Sequence, residues 1–200
     1  GNRTQMTDGA GTETYVYDAL DRLTRVTRGS NTFIHAYDLA NLTQTTYPDS
    51  TTVAYGYDDD ARLASVASGG QTPTYTYDAA ANPTLTTLPS GNGYRETLVY
   101  DRAGRLTEVL NHRGSTTLSR FVATLDQVGN PTRIARTGAL TQTDEYSYDE
   151  MDRLTSALTC PQAPCSVLHD GPRWTYDAVG NRTEEWRGAT FYPAVQYTYN

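Results

Sequence analysis

Polar and apolar residues alternate over short runs along this chain. The runs Thr14-Tyr15-Val16-Tyr17 and Thr74-Tyr75-Thr76-Tyr77 place two tyrosines two positions apart, which puts both rings on the same face of a β-strand. Each run ends at an aspartate, and a second run such as Leu23-Thr24-Arg25-Val26-Thr27 begins shortly after it. The pattern therefore predicts a strand, a tight turn and a second strand, which together form a β-hairpin.

The hairpin pattern recurs along the whole chain. The motifs are centred on residues 17, 37, 57, 77, 100, 125, 148 and 176, at intervals of 20 to 28 residues. Seven of them are the pairs Tyr17-Asp18, Tyr37-Asp38, Tyr57-Asp58, Tyr77-Asp78, Tyr100-Asp101, Tyr148-Asp149 and Tyr176-Asp177, and Leu125-Asp126 is the eighth. Because Gly1-Asn2-Arg3-Thr4 matches Gly180-Asn181-Arg182-Thr183, we expect one repeat array over residues 1–200 with partial repeats at both ends.

The residues after each aspartate predict how the chain reverses. An aspartate carboxylate accepts hydrogen bonds from backbone N–H groups two or so residues further on. Glycine occurs three residues after the aspartate, as at Gly104, and indicates a positive φ that Asp tolerates and Ala tolerates poorly. The next residue is Arg or Asn, and an arginine there is placed to pair with the turn aspartate. The copy at Tyr37-Asp38 is one residue short.

The repeat length predicts the fold class. About 20 residues hold two strands and two connections, and a single hairpin of this size is only marginally stable in water. Stability must therefore come from hairpins that lie side by side. We expect an all-β chain of roughly sixteen to twenty antiparallel strands with no helix longer than a turn. A sheet of this width curls, so tandem hairpins predict a segment of a spiral wall.

The amino-acid composition argues against several classes of function. The chain has 200 residues, a net charge of −7 and sixteen basic residues that are all Arg, which excludes a Schiff-base or phosphate-loop lysine and a Lys–Asn isopeptide bond. The acidic balance argues against nucleic-acid or anionic-membrane binding, and no apolar run is long enough to span a membrane. Sixteen Tyr, only three Phe and a mean hydropathy of −0.62 indicate a thin sheet without a thick core.

No catalytic, cofactor or metal site emerges from the polar residues. His35, His112 and His169 are far apart and lack metal-ligand spacing, and His35 takes the place of a repeat tyrosine, which favours packing. The run Asp58-Asp59-Asp60 lacks the ligand ladder of a calcium loop and is expected to be a solvated turn. The pair Glu184-Glu185 points to opposite faces of a strand, as does Asp144-Glu145, so neither forms an acid–base couple.

Two cysteines lie in the longest interval between motifs. Cys160 and Cys165 flank a segment with two prolines, which indicates a loop inserted between hairpins. A disulfide bond between them would suit a secreted protein, whereas two free thiols are the alternative. We expect the disulfide. A zinc or redox role is disfavoured because a second cysteine pair is missing.

The extended motif resembles a known repeat family. The segments Tyr146–Thr155 and Trp174–Thr183 are similar to the YD repeats of Rhs and teneurin-like proteins, and Tyr47-Pro48-Asp49-Ser50 looks like the family's linker turn with Ser50 in the glycine place. The resemblance covers essentially the whole chain and implies a hollow β-shell built from hairpins. In bacterial polymorphic toxins and insecticidal toxin complexes such shells enclose a toxin domain, and in teneurins they form an adhesive barrel.

The resemblance also sets the expected function. The family's self-cleavage segment and a non-repeat toxin domain are not seen in the chain, so we expect a non-enzymatic wall segment of a secreted or cell-surface bacterial protein. Its partner would be a toxin or other cargo domain of the same parent polypeptide, with no cofactor, nucleic acid or membrane insertion. The alternative is an adhesion or carbohydrate-binding module that recognises a glycan or surface receptor through exposed tyrosine rows such as Tyr15/Tyr17, Tyr55/Tyr57 and Tyr75/Tyr77.

Overall fold

The computed structural model of this chain describes residues 1–89, 93–165, 171–187 and 193–199. Within these ranges the regular secondary structure consists of eighteen β-strands. They are β1 (Gln5–Asp8), β2 (Gly11–Tyr17), β3 (Leu23–Arg28), β4 (Asn31–Asp38), β5 (Asn41–Thr46), β6 (Thr52–Tyr57), β7 (Leu63–Ser68), β8 (Thr74–Tyr77), β9 (Pro83–Thr87), β10 (Tyr94–Tyr100), β11 (Leu106–Arg113), β12 (Thr116–Leu125), β13 (Pro131–Gly138), β14 (Gln142–Tyr148), β15 (Leu154–Cys160), β16 (Arg173–Tyr176), β17 (Arg182–Trp186) and β18 (Pro193–Gln196). The described ranges contain no helix that is long and apolar enough to cross a membrane.

The strands form two compact units. The first unit contains Gly1–Tyr77 and Leu85–Gly93, and the second contains Asp78–Thr84 and Tyr94–Asn200. In the first unit each strand from β1 to β7 pairs antiparallel with the strand that follows it in the chain. In the second unit the same order holds from β10 to β18. The all-β class and the tandem antiparallel hairpins predicted from the sequence are confirmed.

A β-bulge lies at the same place in each motif hairpin for which the register is described. In the first, Val16 faces Arg25 and Tyr17 faces Leu23, so that Thr24 has no partner in the register. The Thr24 hydroxyl donates a hydrogen bond of 3.2 Å to the carbonyl oxygen of Val16, which connects the extra residue of the bulge to the opposite strand. The threonine that follows the leucine of the motif therefore stabilises the bulge through its hydroxyl group.

Neither unit has a thick hydrophobic core in its described residues. In the described part of the chain, Cys160 is the only hydrophobic residue that is fully buried, and most strand residues are half-buried. Apolar side chains such as Val16, Ile34 and Phe121 remain exposed. Because little apolar area leaves the solvent, hydrogen bonds and ion pairs at the turns take a larger share in positioning the hairpins than they would in a domain with a thick core.

Candidate functional site

The repeated turn is the most regular polar site of the molecule, and we call each five-residue segment that begins at its aspartate an aspartate turn. In the turn at residues 149–153, Asp149 Oδ1 accepts hydrogen bonds from the backbone N–H groups of Met151 and Arg153, both at 3.0 Å. Oδ2 accepts a third hydrogen bond from Arg153 Nε at 2.7 Å. The backbone N–H of Asp149 donates to the carbonyl of Arg153, and that of Asp152 donates to the carbonyl of Asp149.

The same arrangement of carboxylate hydrogen bonds recurs in seven turns. They begin at Asp18, Asp58, Asp78, Asp101, Asp126, Asp149 and Asp177. Arginine and asparagine are equivalent at the fifth position, because each donates one side-chain N–H to Oδ2. In Asn130 the Nδ2–Oδ2 distance is 3.1 Å, against 2.7 Å for Arg105 Nε in its turn. Both oxygens of each carboxylate therefore accept hydrogen bonds from N–H groups of the same turn.

Asp38 departs from this arrangement. Its turn has two residues between the paired positions Asp38 and Asn41, and Leu39 adopts a positive φ of 48°. Asp38 is exposed, and among the residues that the structure describes its carboxylate accepts no turn hydrogen bond. The shorter turn pairs Asp38 directly with Asn41 and does not bring the following backbone N–H groups to the carboxylate, so the motif aspartate of this copy does not hold its turn.

The fourth position of the aspartate turns has a positive φ whatever the residue. Glycine occupies it at Gly104, Gly129 and Gly180, whereas Ala81 adopts the same region with a φ of 64°. A left-handed conformation costs a residue with a Cβ about 1–2 kcal/mol relative to glycine. The glycine signal in the sequence therefore marks the backbone geometry that all these turns share.

We expect Ala81→Gly to raise the free energy of unfolding by about 1 kcal/mol, because glycine removes the left-handed strain and loses part of the gain to its larger chain entropy. The measurement is urea unfolding followed by circular dichroism. Ala80→Gly is the matched control, since Ala80 lies next to it without a positive φ, and it is expected to lower stability. Equal effects of the two substitutions would contradict the role assigned to the fourth position.

The turn hydrogen bonds also lower the pKa values of the turn aspartates. The pKa of Asp18 lies below its ordinary value of 3.8 because the Arg22 side chain donates to it, and the pKa values of Asp58 and Asp101 are lowered mainly by backbone N–H groups. At Asp126 and Asp149 desolvation raises the pKa, but the backbone and side-chain hydrogen bonds outweigh it, so that the pKa is again lowered. The same opposition and the same net direction hold for the pKa of Asp177.

These shifts predict acid-sensitive stability. A carboxylate with a lowered folded-state pKa stabilises the fold above its unfolded pKa, and this contribution is lost as the pH falls through the folded-state pKa. We therefore expect the urea midpoint to be flat from about pH 7 to 5 and to fall below about pH 4. Asp101→Asn, which cannot titrate, is expected to be less stable at pH 7 and to show a shallower acid limb. A midpoint that stays constant into strong acid would contradict this assignment.

The motif tyrosine connects one hairpin to the preceding one. Tyr148 donates a hydrogen bond from its hydroxyl to the carbonyl oxygen of Pro131 at 3.0 Å, and Tyr176 donates to that of Leu154 at 2.7 Å. In each case the acceptor is the residue immediately after the preceding turn. The same bond joins Tyr17 to Arg3, Tyr37 to Leu23, Tyr57 to Leu42, Tyr77 to Leu63 and Tyr199 to Arg182.

The turn arginine makes a second connection, in the opposite direction along the chain. Arg153 Nη1 donates to the carbonyl oxygen of Asp177 at 3.0 Å, and its guanidinium lies over the Tyr176 ring at 4.7 Å from the centroid. Arg22 likewise lies over the ring of Tyr37. We call the tyrosine bond and the arginine contacts together the inter-hairpin bridge. It ties neighbouring hairpins together where the turn carries arginine, whereas Asn130 instead donates from Nδ2 to Asp152 Oδ1 of the next turn at 3.0 Å.

The exposed tyrosine rows expected for glycan binding are not seen at these positions. Tyr15, Tyr17, Tyr55, Tyr57, Tyr75 and Tyr77 are all half-buried. The rings of Tyr15 and Tyr77 are also covered by guanidinium groups, at 4.9 and 5.0 Å from their centroids. Because the rings are partly covered and several hydroxyl groups already donate hydrogen bonds to backbone carbonyls, the motif tyrosines are poorly placed to bind an external ligand.

The cysteine loop closes as a disulfide. Cys160 and Cys165 are joined by a disulfide bond, with their Cα atoms 5.5 Å apart. The backbone N–H of Cys165 donates to Glu145 Oε2 at 2.9 Å, which anchors the loop to β14. The loop is thus fixed to the hairpin of β14 and β15 at both of its cysteines.

The other polar candidates have structural surroundings. His35 Nδ1 lies 3.2 Å from Thr45 Oγ1 in the neighbouring strand, which is consistent with packing in the tyrosine place, while His169 lies outside the described residues. Asp60 pairs with Arg62 at 3.0 Å. Within the described ranges no group of three His, Cys, Asp or Glu side chains is arranged to hold a metal ion.

Two buried carboxylates were not expected from the sequence. Asp144 is 5% exposed and lies 2.6 Å from Arg136 Nη2, and Glu185 is 7% exposed between Arg182 and Arg187. Hydrogen bonds from Arg187 and Tyr197 hold the pKa of Glu185 below its usual range. The pair of Arg136 with Asp144 depends on the register of β13 and β14, whereas Arg182 and Arg187 lie only three and two residues from Glu185 in the chain.

Comparison with known families agrees with this geometry. Residues 1–32 match the RHS Repeat model, and residues 36–118 match the Teneurin YD-shell model. The chain belongs to the RHS/YD-repeat family. Its aspartate turns and inter-hairpin bridges are therefore features of RHS/YD repeats in this chain. No curated protein matches it.

Solved structures show the same fold over nearly the whole RHS/YD-repeat chain. The crystal structure of TcdB2-TccC3-TEV matches with a TM-score of 0.65 at 18% identity and covers 93% of this chain. Those of TcdB2-TccC3-Cdc42 and of TcdB2-TccC3 without its hypervariable C-terminal region match with TM-scores of 0.62 and 0.61, at 19% and 18% identity, over 96% and 92% of this chain. The chain spans only 11–12% of the length of those chains.

Proposed function

We propose that this chain is a wall segment of an RHS-type shell that encloses a toxin or other cargo domain of the same parent polypeptide in a secreted bacterial protein. The observation that carries the proposal is the inter-hairpin bridge. Where a turn carries arginine, as at Arg153, the hairpin holds its neighbour through the tyrosine and arginine contacts together, and after the asparagine turn at Asn130 the tyrosine bond from Tyr148 to Pro131 recurs. Added hairpins of these two kinds lengthen the wall without a new kind of contact. A wall of this kind acts by steric enclosure.

The proposed role is structural. The motif aspartates, apart from Asp38, hold their turns, and motif tyrosines hold the preceding hairpin, so these groups are already engaged in building the sheet. We assign them no catalytic step and no cofactor. The array would extend over residues 1–200 as one repeat region.

The disulfide supports delivery outside the cytosol. Disulfide bonds persist in oxidising compartments and are rare in cytosolic proteins. A bond between Cys160 and Cys165 is therefore in keeping with a secreted protein. We do not extend the proposal to glycan binding, because the tyrosine rows that it requires are half-buried.

The test uses the parent polypeptide that contains this segment together with its non-repeat region. Limited proteolysis is expected to leave the enclosed region intact in the wild type and to cut it faster when Arg153→Ala and Tyr176→Phe together weaken one bridge. Arg133→Ala, on an exposed residue of β13, is the control and should leave protection unchanged. Rapid cleavage of the non-repeat region in all three proteins, the wild type included, would reject enclosure.

A further inference from the structure

The sixth hairpin lacks a large side chain at a position where the others have one. The residue two places before the motif tyrosine shares its face of the strand, and in seven hairpins it is large. These residues are Tyr15, His35, Tyr55, Tyr75, Leu98, Tyr146 and Trp174. In the sixth hairpin the equivalent residue is Ala123. The other copies thus provide an internal comparison that shows how much volume is missing.

A cavity lies where this side chain is missing. It has a volume of about 230 Å³, and the side chains that line it include Val109, Phe121, Ala123 and Ile134. Ala123 faces Ile134 across β12 and β13, and Phe121 faces Val109 across β11 and β12, so these four side chains share one face of the sheet. Because both neighbours of β12 are paired strands, the walls of the cavity are fixed by the sheet.

The size and lining of the cavity suit an aromatic ring. A closed cavity of about 150 Å³ lined by Leu, Ile and Phe side chains accepts benzene. The cavity at Ala123 is larger and opens to solvent, and its lining is mainly apolar and includes Leu106, with Thr107, Glu108 and Arg136 as its polar residues. Phe121 is 37% exposed and Leu106 is 42% exposed, so both have apolar area that an incoming ring would cover.

An arginine adds a polar contact at the edge of the cavity. Arg136 faces Phe121 in the register of β12 and β13, and its Nη2 is held 2.6 Å from Asp144 Oδ2. At the equivalent position of other hairpins an arginine lies over the ring, Arg3 over Tyr15 at 4.9 Å and Arg182 over Trp174 at 5.3 Å from the centroid. Within the described residues no ring of the chain itself lies under the Arg136 guanidinium in this way. An incoming ring would find the same combination of apolar wall and guanidinium.

We infer that this cavity, at Ala123, is a docking site for an aromatic side chain, above all tyrosine, of a partner polypeptide. The guest ring takes the place that the chain's own Tyr55 or Tyr146 takes in other hairpins. Apolar contact with Val109, Phe121 and Ile134 holds the ring, and Arg136 favours an aromatic guest over an aliphatic one. This inference does not depend on the enclosure of a cargo.

The test measures binding of 4-methylphenol, the side chain of tyrosine, by saturation-transfer NMR, which observes the ligand whatever the size of the protein assembly. We expect saturable binding to the wild-type chain and binding at least tenfold weaker to Ala123→Tyr, because the new ring fills the cavity. Phe121→Ala removes one wall and is expected to weaken binding without obstructing the cavity. 4-Methylcyclohexanol, of similar size without a π system, is expected to bind several-fold more weakly.

The matched control is Thr124→Tyr, which adds the same ring to the opposite, exposed face of β12. It is expected to bind 4-methylphenol within twofold of the wild type. Circular dichroism of each variant establishes that the sheet is retained. Unchanged binding to a folded Ala123→Tyr, or no saturable binding to the wild type, would overturn the site, and equal binding of the two ligands would overturn its preference for aromatic rings.

Discussion

Arg153→Ala is expected to lower the free energy of unfolding by about 2 kcal/mol, roughly a thirtyfold change in the unfolding equilibrium. Arg153 is placed to stabilise two hairpins at once. Its Nε donates to Asp149 at 2.7 Å within its own turn, and its Nη1 donates to the carbonyl of Asp177 in the next. Its guanidinium also covers the ring of Tyr176, which in turn binds the carbonyl of Leu154.

The measurement is equilibrium unfolding in urea, with hydrogen exchange to locate the loss. Faster exchange is expected in β15 to β17, where the bridge lies. Arg133→Ala makes the same change of charge on an exposed side chain and is expected to cost less than about 0.5 kcal/mol. If the two substitutions cost the same, the bridge contributes nothing beyond net charge.

Gly138→Ala is expected to cost about 3 kcal/mol, because two separate effects act at this residue. Gly138 has a φ of 131°, a conformation that residues with a Cβ rarely adopt. A Cβ built there would lie within 3.0 Å of Ser119 Cα and closer still to the carbonyl oxygen of Leu118, both of which belong to the backbone of β12. Backbone atoms of a paired strand cannot move aside without loss of the pairing between Ser119 and Gly138.

Gly114→Ala separates the two effects. Gly114 also has a positive φ, of 56°, but a Cβ there would meet nothing within 4 Å. Only the conformational cost of about 1 kcal/mol is therefore expected. Thermal and urea unfolding of both variants measure the difference. A cost at Gly138 no greater than that at Gly114 would show that β12 and β13 adjust to the added methyl group.

The predictions that the structure confirmed concern interactions between residues close together in the chain. The turn geometry involves an aspartate and groups two to four residues away, so the tight turn and the residue with positive φ were both visible in the motif. Ala81 has a Cβ and disfavours the left-handed conformation, yet it adopts a positive φ there. The hydrogen bonds from its neighbours Ala80 and Asn82 to Asp78 hold the turn in the same geometry as in the other copies. Asp38 shows the limit of this reasoning, since one missing residue removes its bonds while the pair Tyr37-Asp38 still looks regular.

The part of the site that was not predicted depends on register. The sequence showed a tyrosine in front of each turn but not that Tyr176 reaches Leu154, 22 residues earlier. It also showed small residues and arginines without showing that Ala123 lies beside Phe121 and Val109, or that Arg136 neutralises a buried Asp144. A shift of one residue in pairing would move each of these side chains to the other face.

The sequence alone determined the all-β class, the hairpin repeat and the place of each tight turn, because alternation and turn chemistry act between residues close in the chain. Only the tertiary structure decided which groups the tyrosines bind, which groups outside their own turns the arginines bind, and that a cavity lies beside Ala123. Those contacts join residues 14 to 24 positions apart, as in Tyr37 with Leu23 and Arg153 with Asp177. Their geometry exists only after neighbouring hairpins have paired in one register, because that pairing decides which side chains share a face.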